Sequence, residues 1–181
     1  MTPQQDIMSI MDKVLFRGKR ISDGIWVYGF YIHRPQPVCI GHSHPYCIWI
    51  PANNPDETTT IVEVDPATVG QFTSVIDKNG KKIFEGDIVQ YNTYYDFDCQ
   101  SVVKFGEYNQ DGSAGEYSAR KCIGFYVDVD NYTCPDWCEY DPDFFPKYLN
   151  QQNVLEVANY CEVIGNIHDD LRLLKEGEKA W

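Results

Sequence analysis

The chain has 181 residues, a formal net charge of −12 and 43% hydrophobic residues, and it contains 4 Trp, 13 Tyr and 9 Phe. This length fits one domain or two small ones, and so many aromatic residues favour a buried core over disorder. The excess of acidic side chains disfavours direct binding to nucleic acid or to anionic lipid, because both attract positively charged surfaces.

Residues 1–12 are expected to be a lead segment, with a frayed chain and a short helix as open alternatives. The start of the chain lacks the basic and apolar regions of a secretory signal. No apolar run approaches the ~20 residues of a membrane helix. The seven cysteines are an odd number, so we expect reduced thiols in a cytoplasm.

Short runs of β-branched and aromatic residues, bounded by turn-forming residues, predict a series of strands. The first lies at 25–32 and forms a hairpin with 15–17 through the turn signal Asp23-Gly24. Further strands are predicted at 38–40, 46–50, 60–64, 101–105, 122–129 and 160–167.

Turn signals divide the middle of the chain. The pair Asp65-Pro66 is typical of the start of a single helical turn. Asn79-Gly80 predicts a tight hairpin. In the strand predicted at 83–91, Gly86 indicates a bulge or a bend.

A C-terminal helix is predicted at about 169–176, with acidic residues at its start and basic residues at its end. Eight or more short strands and one or two short helices make a mainly β protein. A curled sheet or a small barrel is the expected architecture.

Four segments carry recognisable motifs in a fixed order: FRGKR leading into WVYG, VDPATVGQFT, DKNGKKIFEGDIV and EVIGNIHD. Over residues 13–174 they make the chain resemble the YopX-like family of bacteriophage and prophage proteins. The resemblance implies an SH3-type small barrel as the kernel of the fold, and action inside a bacterial cytoplasm. It brings no assigned activity and no catalytic signature.

The family motifs are interpreted as residues that specify the fold, through turns, close strand approach and core packing. These structural motif residues are Trp26, Gly29, Gly70, Gly80, Gly86, Asp87 and Gly165. An open alternative is that the basic cluster Arg17, Lys19 and Arg20 marks a binding face. Residues from about 109 to 155 look like a variable insertion, and 175–181 like a tail.

Two groups of cysteine and histidine have spacings close to those of zinc ligands. The candidates are Cys39, His42, His44, Cys47, Cys134 and Cys138. The preferred interpretation is that most cysteines are small core residues, so no metal and no cofactor is predicted. A redox role for Cys134 and Cys138 is disfavoured by the three residues between them and their acidic neighbours.

The segment 128–145 holds six acidic residues, interleaved aromatics and no Lys or Arg. This mixture suits a basic, partly apolar protein surface, or mimicry of nucleic acid. The alternative is a loop whose aromatics fold back on the core. The interaction candidates are Asp136, Trp137, Glu139, Tyr140, Asp141, Asp143, Phe144 and Phe145.

No nucleophile elbow, phosphate-binding loop or metalloprotease motif occurs in the sequence. We therefore predict a non-enzymatic accessory protein that binds another macromolecule, preferably a protein. The alternatives are an enzyme of unrecognised type, a protein that self-associates through an open strand edge, and a small structural zinc-binding protein.

Overall fold

A computed structural model describes residues 14–33, 45–52, 58–92, 98–110, 120–127, 131–133 and 151–175. The chain divides into two compact units, Met1–Ser74 and Val75–Trp181. Antiparallel strands dominate both units, so the prediction of a mainly β protein is confirmed. No helix in these ranges is long and apolar enough to cross a membrane. The segments predicted at 1–12 and 38–40 lie outside the described residues.

The first unit contains an antiparallel sheet with the order β4-β3-β2-β1-β5. The predicted hairpin of the first two strands is confirmed, because Arg17 lies opposite Tyr28. The strands predicted at 46–50 and 60–64 are also present. The bounds are β1 Phe16–Lys19, β2 Trp26–His33, β3 Tyr46–Ile50, β4 Thr60–Glu63 and β5 Gly70–Ile76, which crosses the boundary between the units.

Small residues allow the sheet of the first unit to curl. A side-chain carbon on Gly29 would overlap the carbonyl oxygen of Trp49, and one on Gly18 would lie 3.2 Å from Cβ of Val64. A single bridge between Arg20 and Val64 links the end of β1 to the end of β4. No closed barrel is found among the described residues, so the SH3-type kernel stays a prediction.

The predicted helical turn after β4 is a 3₁₀ turn, Pro66–Thr68. Asp65 caps it, because its carboxylate accepts a hydrogen bond from the backbone N–H of Ala67 at 3.0 Å. The hydroxyl of Thr68 donates to the carbonyl of Asp65 and accepts from the backbone N–H of Lys19, both at 2.8 Å. The turn is thereby fastened to β1.

The second unit contains a sheet with the order β11-β9-β8-β7-β12, and β10 pairs with β8. Its core is formed by Ile83, Val89, Tyr91, Cys99, Val103, Val127, Val154, Val157, Ala158, Cys161 and Val163. The elements are β6 Lys82–Phe84, β7 Asp87–Asn92, β8 Asp98–Gln110, β9 Arg120–Val127, β10 Asn131–Thr133, β11 Gln152–Asn153, α1 Val154–Val157, β12 Glu162–Asn166 and α2 Arg172–Lys175.

The segment 83–91, predicted as a strand pattern with a bulge or a bend at Gly86, forms two strands, because a turn at Glu85-Gly86 separates β6 from β7. Gly86 has a φ of 80°, which favours glycine. The carboxylate of Asp87 accepts a hydrogen bond from the backbone N–H of Phe84 at 2.7 Å. Of the two alternatives for Gly86, the structure shows the bend.

The C-terminal helix is shorter than predicted, since α2 begins at Arg172 rather than at 169. The side chain of Asn166 accepts hydrogen bonds from the N–H groups of His168 and Asp169 at 2.9 and 3.1 Å. Asp170 accepts from the N–H of Asn166 at 3.2 Å. These local bonds compete with helix formation and hold the preceding residues in a turn.

The large apolar residues of the motif segments are not all buried. Phe72, Phe84, Ile88, Val89 and Val163 are buried. By contrast, Tyr28 is 48% exposed and its neighbours Trp26 and Phe30 are half-buried. Alternate residues of a strand point to opposite faces. The three aromatics of β2 therefore share one face, whereas Gly29 lies on the other.

Candidate functional site

Most of the candidate metal ligands lie outside the described residues. Cys47 lies in β3 and is fully buried, as the core interpretation of the cysteines expects. In the ranges that the structure describes, no group of three or more His, Cys, Asp or Glu side chains could hold a metal ion. The other candidates lie outside those ranges: Cys39, His42, His44, Cys134 and Cys138.

The predicted interaction residues of the acidic segment also lie outside the described residues. They are Asp136, Trp137, Glu139, Tyr140, Asp141, Asp143, Phe144 and Phe145. Their part in binding stays a prediction.

The basic cluster of β1 supports the first unit. The guanidinium carbon of Arg17, which is only 6% exposed, lies 4.7 Å from the ring centroid of Trp26. Nζ of Lys19 lies 5.4 Å from the same centroid. Arg20 forms an ion pair with Asp23 at 3.0 Å. These cation–π and ionic contacts favour the fold interpretation of the cluster over a binding face.

Asp77 is a buried carboxylate that the hairpin between β5 and β6 holds in place. It accepts hydrogen bonds from the N–H groups of Asn79 at 2.9 Å, Lys81 at 2.8 Å and Val163 at 3.0 Å. Burial raises the pKa of Asp77, but these hydrogen bonds and the Lys81 ammonium outweigh burial, so the pKa is lowered. The side chain joins the hairpin to β12.

Other motif residues of the second unit lie at a turn or in a closely packed strand. Gly80 has a φ of 81° in the predicted hairpin. A side-chain carbon on Gly165 would lie 2.6 Å from Oδ2 of Asp170. In the first unit, Gly70 is buried opposite Arg17. These positions serve turns and close packing.

An open pocket of about 370 Å³ lies beside β7 and β12. Lys78 and Glu162 on its wall form an ion pair at 3.0 Å. The amide nitrogen of Gln90 donates to the carboxylate of Asp98 at 2.9 and 3.0 Å. Three polar residues of the lining, Lys78, Glu162 and Gln90, thus bind to other side chains of the protein.

A two-stranded ribbon extends from the sheet of the second unit. β7 pairs with β8 up to Val102, whereas the pairing of β8 with β9 runs on from Val103 to Gln110. Within this ribbon Phe105 lies opposite Phe125. The alternation of side chains gives the ribbon two distinct faces.

One face of the ribbon packs within the second unit. Tyr108 is buried, and its ring stacks on that of Tyr126 with centroids 5.1 Å apart. The side chain of Asn153 donates a hydrogen bond to the hydroxyl of Tyr108 at 3.0 Å. Burial of Tyr108 raises the pKa of its phenol. This face is therefore anchored to β11, the strand before α1.

On the opposite face, Val103 and Val127 are buried in the core, and Phe125 packs against that core. Further along the same face lie Phe105, Ile123 and Phe125, which we call the ribbon patch. Ile123 is 79% exposed and Phe105 is 54% exposed. The rings of Phe105 and Phe125 lie 5.0 Å apart at 59°. Next to the patch, Nζ of Lys121 lies 2.5 Å from Oε1 of Glu107.

The sequence did not reveal the ribbon patch. The strands were predicted at 101–105 and 122–129, but the patch exists only because Phe105 is paired with Phe125. That register depends on contacts across an intervening loop. A local signal could have indicated the patch: Phe105 precedes Gly106 in one strand, and Gly124 lies between Ile123 and Phe125 in the other.

The sequence matches the model of a known protein family. The family model described as YopX protein matches residues 16–175, which include every motif segment and the ribbon patch. No curated protein matches the sequence significantly. The model covers most of the chain, so the protein belongs to the YopX family.

Proposed function

We propose that this protein is a non-enzymatic accessory protein that binds another protein through the ribbon patch. Its origin in a phage or prophage, and its action in a bacterial cytoplasm, belong to the same proposal. The exposed Phe105 and Ile123, together with the half-buried Phe125 on the same face of the ribbon, are the observation that carries it.

The composition of the ribbon patch supports a role in protein binding. Single exposed apolar residues are common on protein surfaces, whereas adjacent ones rimmed by polar groups are typical of interaction sites. The patch has two aromatic rings and an exposed isoleucine. The ion pair of Glu107 and Lys121 lies at its rim. An apolar centre with a polar rim is the common anatomy of interfaces.

The family motifs support the non-enzymatic part of the proposal. Asp77 and Asp87 are buried carboxylates that accept hydrogen bonds from backbone N–H groups at turns. Arg17 is buried against Trp26. These charged motif residues therefore stabilise the fold.

The acidic segment 128–145 is proposed as a second contact region for the partner. Its six acids and its aromatics would attract and anchor a basic surface. Neutralising Asp136, Glu139, Asp141 and Asp143 together should weaken binding if the segment takes part. Unchanged binding would remove the segment from the proposal.

Site-specific photo-crosslinking tests the ribbon patch in the full chain. A photoreactive phenylalanine analogue is placed at position 123, and in a control at position 76, where Ile76 is also an exposed strand residue at 53%. In living cells, light should produce a discrete covalent adduct of higher mass from position 123 and none from position 76. Equal adducts from both positions, or none from 123, would contradict the proposal.

A further inference from the structure

We infer that the partner binds the ribbon patch as an extended strand, which pairs with the outer edge of β9, the edge that faces away from β8. The inference rests on the proposed function and adds the mode of binding and the chemistry of the partner segment. That segment has apolar side chains at two positions separated by one residue, and a basic residue between them.

The backbone groups of β8 point alternately toward β9 and away from it. The carbonyl of Val103 accepts a hydrogen bond from the N–H of Gly86 at 2.8 Å, on the side of β7. The N–H of Asn109 donates to the side chain of Gln151, also at 2.8 Å. Neither partner belongs to β9. The odd-numbered residues of β8 from 103 to 109 therefore direct their N–H and C=O groups away from β9.

The outer edge of β9 is open along the patch. Lys121, Ile123 and Phe125 lie opposite odd-numbered residues of β8, and opposite residues of an antiparallel pair direct their backbone groups alike. Their N–H and C=O groups therefore point away from β8. β11 pairs with this edge at Tyr126 and Val127, and no other strand of the described ranges pairs with it. An exposed strand edge is a template for another strand.

The outer edge of β8 is a less suitable site. It is already used at both ends, by Gly86 and by the side chain of Gln151, so only Phe105 and Glu107 remain between them. The edge of β9 offers three residues in line with β11. A strand added there continues a pairing that the fold already contains, and it lies beside the ribbon patch.

The alternation of side chains sets the apolar positions of the partner. Ile123 and Phe125 both point to the patch face, so the partner residues opposite them point to that face as well. Cross-strand pairs of apolar side chains stabilise a sheet. We therefore expect two apolar partner residues, separated by one position, to pack against Ile123 and Phe125.

The residue between these two lies opposite Gly124, on the other face of the ribbon. A side-chain carbon on Gly124, or on Gly106 opposite it, would meet no atom of the described residues within 4 Å. This face therefore has room for a long side chain. The net charge of −12 favours a cationic one, so Lys or Arg fits this position and agrees with the basic partner surface proposed above.

Amide hydrogen exchange of the full chain, followed by NMR, tests whether the edge is open. Relative to intrinsic rates, the N–H groups of Ile123 and Phe125 should exchange at least about tenfold faster than that of Gly124, which points toward β8. Slow exchange at Ile123 and Phe125 would overturn the inference, because the chain itself would then cover this edge.

A proline at the edge tests strand addition. Proline lacks an N–H group and is tolerated at a strand edge whose N–H faces solvent. In photo-crosslinking from position 123, Lys121→Pro should lower the adduct yield at least about tenfold, because the added strand loses a donor and meets the ring. Lys121→Ala removes only the exposed ion pair with Glu107 and should lower the yield no more than about twofold. Unfolding curves check that both variants fold.

A synthetic peptide tests the partner chemistry without any variant. The probe is a seven-residue peptide in which lysine and valine alternate, and its control has the same composition with the valines in one block. At ~1 mM, the alternating peptide should slow exchange at Ile123 and Phe125 at least about twofold, whereas the control should not. Equal effects of the two peptides, or no effect of either, would overturn the inference.

The crosslinking outcomes separate this inference from the proposed function. An adduct whose yield Lys121→Pro and Lys121→Ala change equally would overturn strand addition and leave the ribbon patch as a binding site. The absence of an adduct from position 123 of the original chain would overturn both. An adduct with the mass of two chains would identify a second copy and overturn the basic partner segment.

Discussion

Individual polar side chains of the family motifs act as connectors between backbone segments. The carboxylate of Asp77 accepts three backbone hydrogen bonds, two within its own hairpin and one from Val163 in β12. A neutral side chain of the same shape cannot accept all three. Asp77 belongs to the motif segment DKNG and Val163 to EVIG, so this hydrogen bond connects two motif segments that are far apart in the sequence.

Asp77→Asn should lower the free energy of unfolding by about 1–3 kcal/mol at pH 7, because a buried N–H group loses its acceptor. The lowered pKa of Asp77 fixes the pH dependence. Ionisation stabilises the fold above the unfolded value of about 3.8 and ceases to do so as pH falls through the lower folded pKa. The difference between original and variant should therefore shrink from pH 7 to pH 3.

Denaturant unfolding at both pH values measures this difference. Asp23→Asn is the control, because Asp23 lies on the exposed turn after β1 and its change should cost less than about 0.5 kcal/mol. A cost of Asp77→Asn that is the same at pH 7 and pH 3 would show that its ionisation does not stabilise the fold.

At the scale of elements, connections between neighbouring turns and strands decide the local fold. The 3₁₀ turn Pro66–Thr68 follows β4 in the chain, yet the hydroxyl of Thr68 accepts from the N–H of Lys19 in β1. One side chain thus links elements 49 residues apart. The motif VDPATVG therefore stabilises a contact as well as a turn.

Thr68→Val removes this hydroxyl while keeping the shape of the side chain. It leaves a buried N–H without its acceptor and should cost about 1–3 kcal/mol in unfolding free energy. Thr68→Ser keeps the hydroxyl and should retain most of that stability. Thermal and denaturant unfolding of the pair provide the measurement, and equal losses for valine and serine would contradict the role of the hydroxyl.

Signals confined to a few residues predicted their elements well. Asn79-Gly80 and Asp65-Pro66 are turns in the structure, because their conformations depend on neighbouring residues alone. The C-terminal helix was predicted too long because Asn166, a residue before it, competes for backbone N–H groups. The ribbon patch was missed because a strand register is set by distant contacts.

At the scale of the whole molecule, charge is spread unequally along the chain. The unit Met1–Ser74 has five basic and seven acidic residues, whereas Val75–Trp181 has ten and twenty. From the sequence, the acidic segment 128–145 is the expected site of contact with a partner. The structure adds an apolar surface, the ribbon patch, within the more acidic unit.

Salt separates the two proposed contact regions. Attraction between the acidic segment 128–145 and a basic partner surface is screened as the Debye length falls from about 30 Å at 0.01 M to about 8 Å at 0.15 M salt. Contact between apolar side chains at the ribbon patch is far less sensitive to salt at these concentrations. In lysate, the photo-crosslinking yield from position 123 should therefore fall between ~0.01 M and ~0.15 M salt for the original chain and change little when Asp136, Glu139, Asp141 and Asp143 are neutralised. The same dependence on salt in both proteins would show that the acidic segment does not attract the partner.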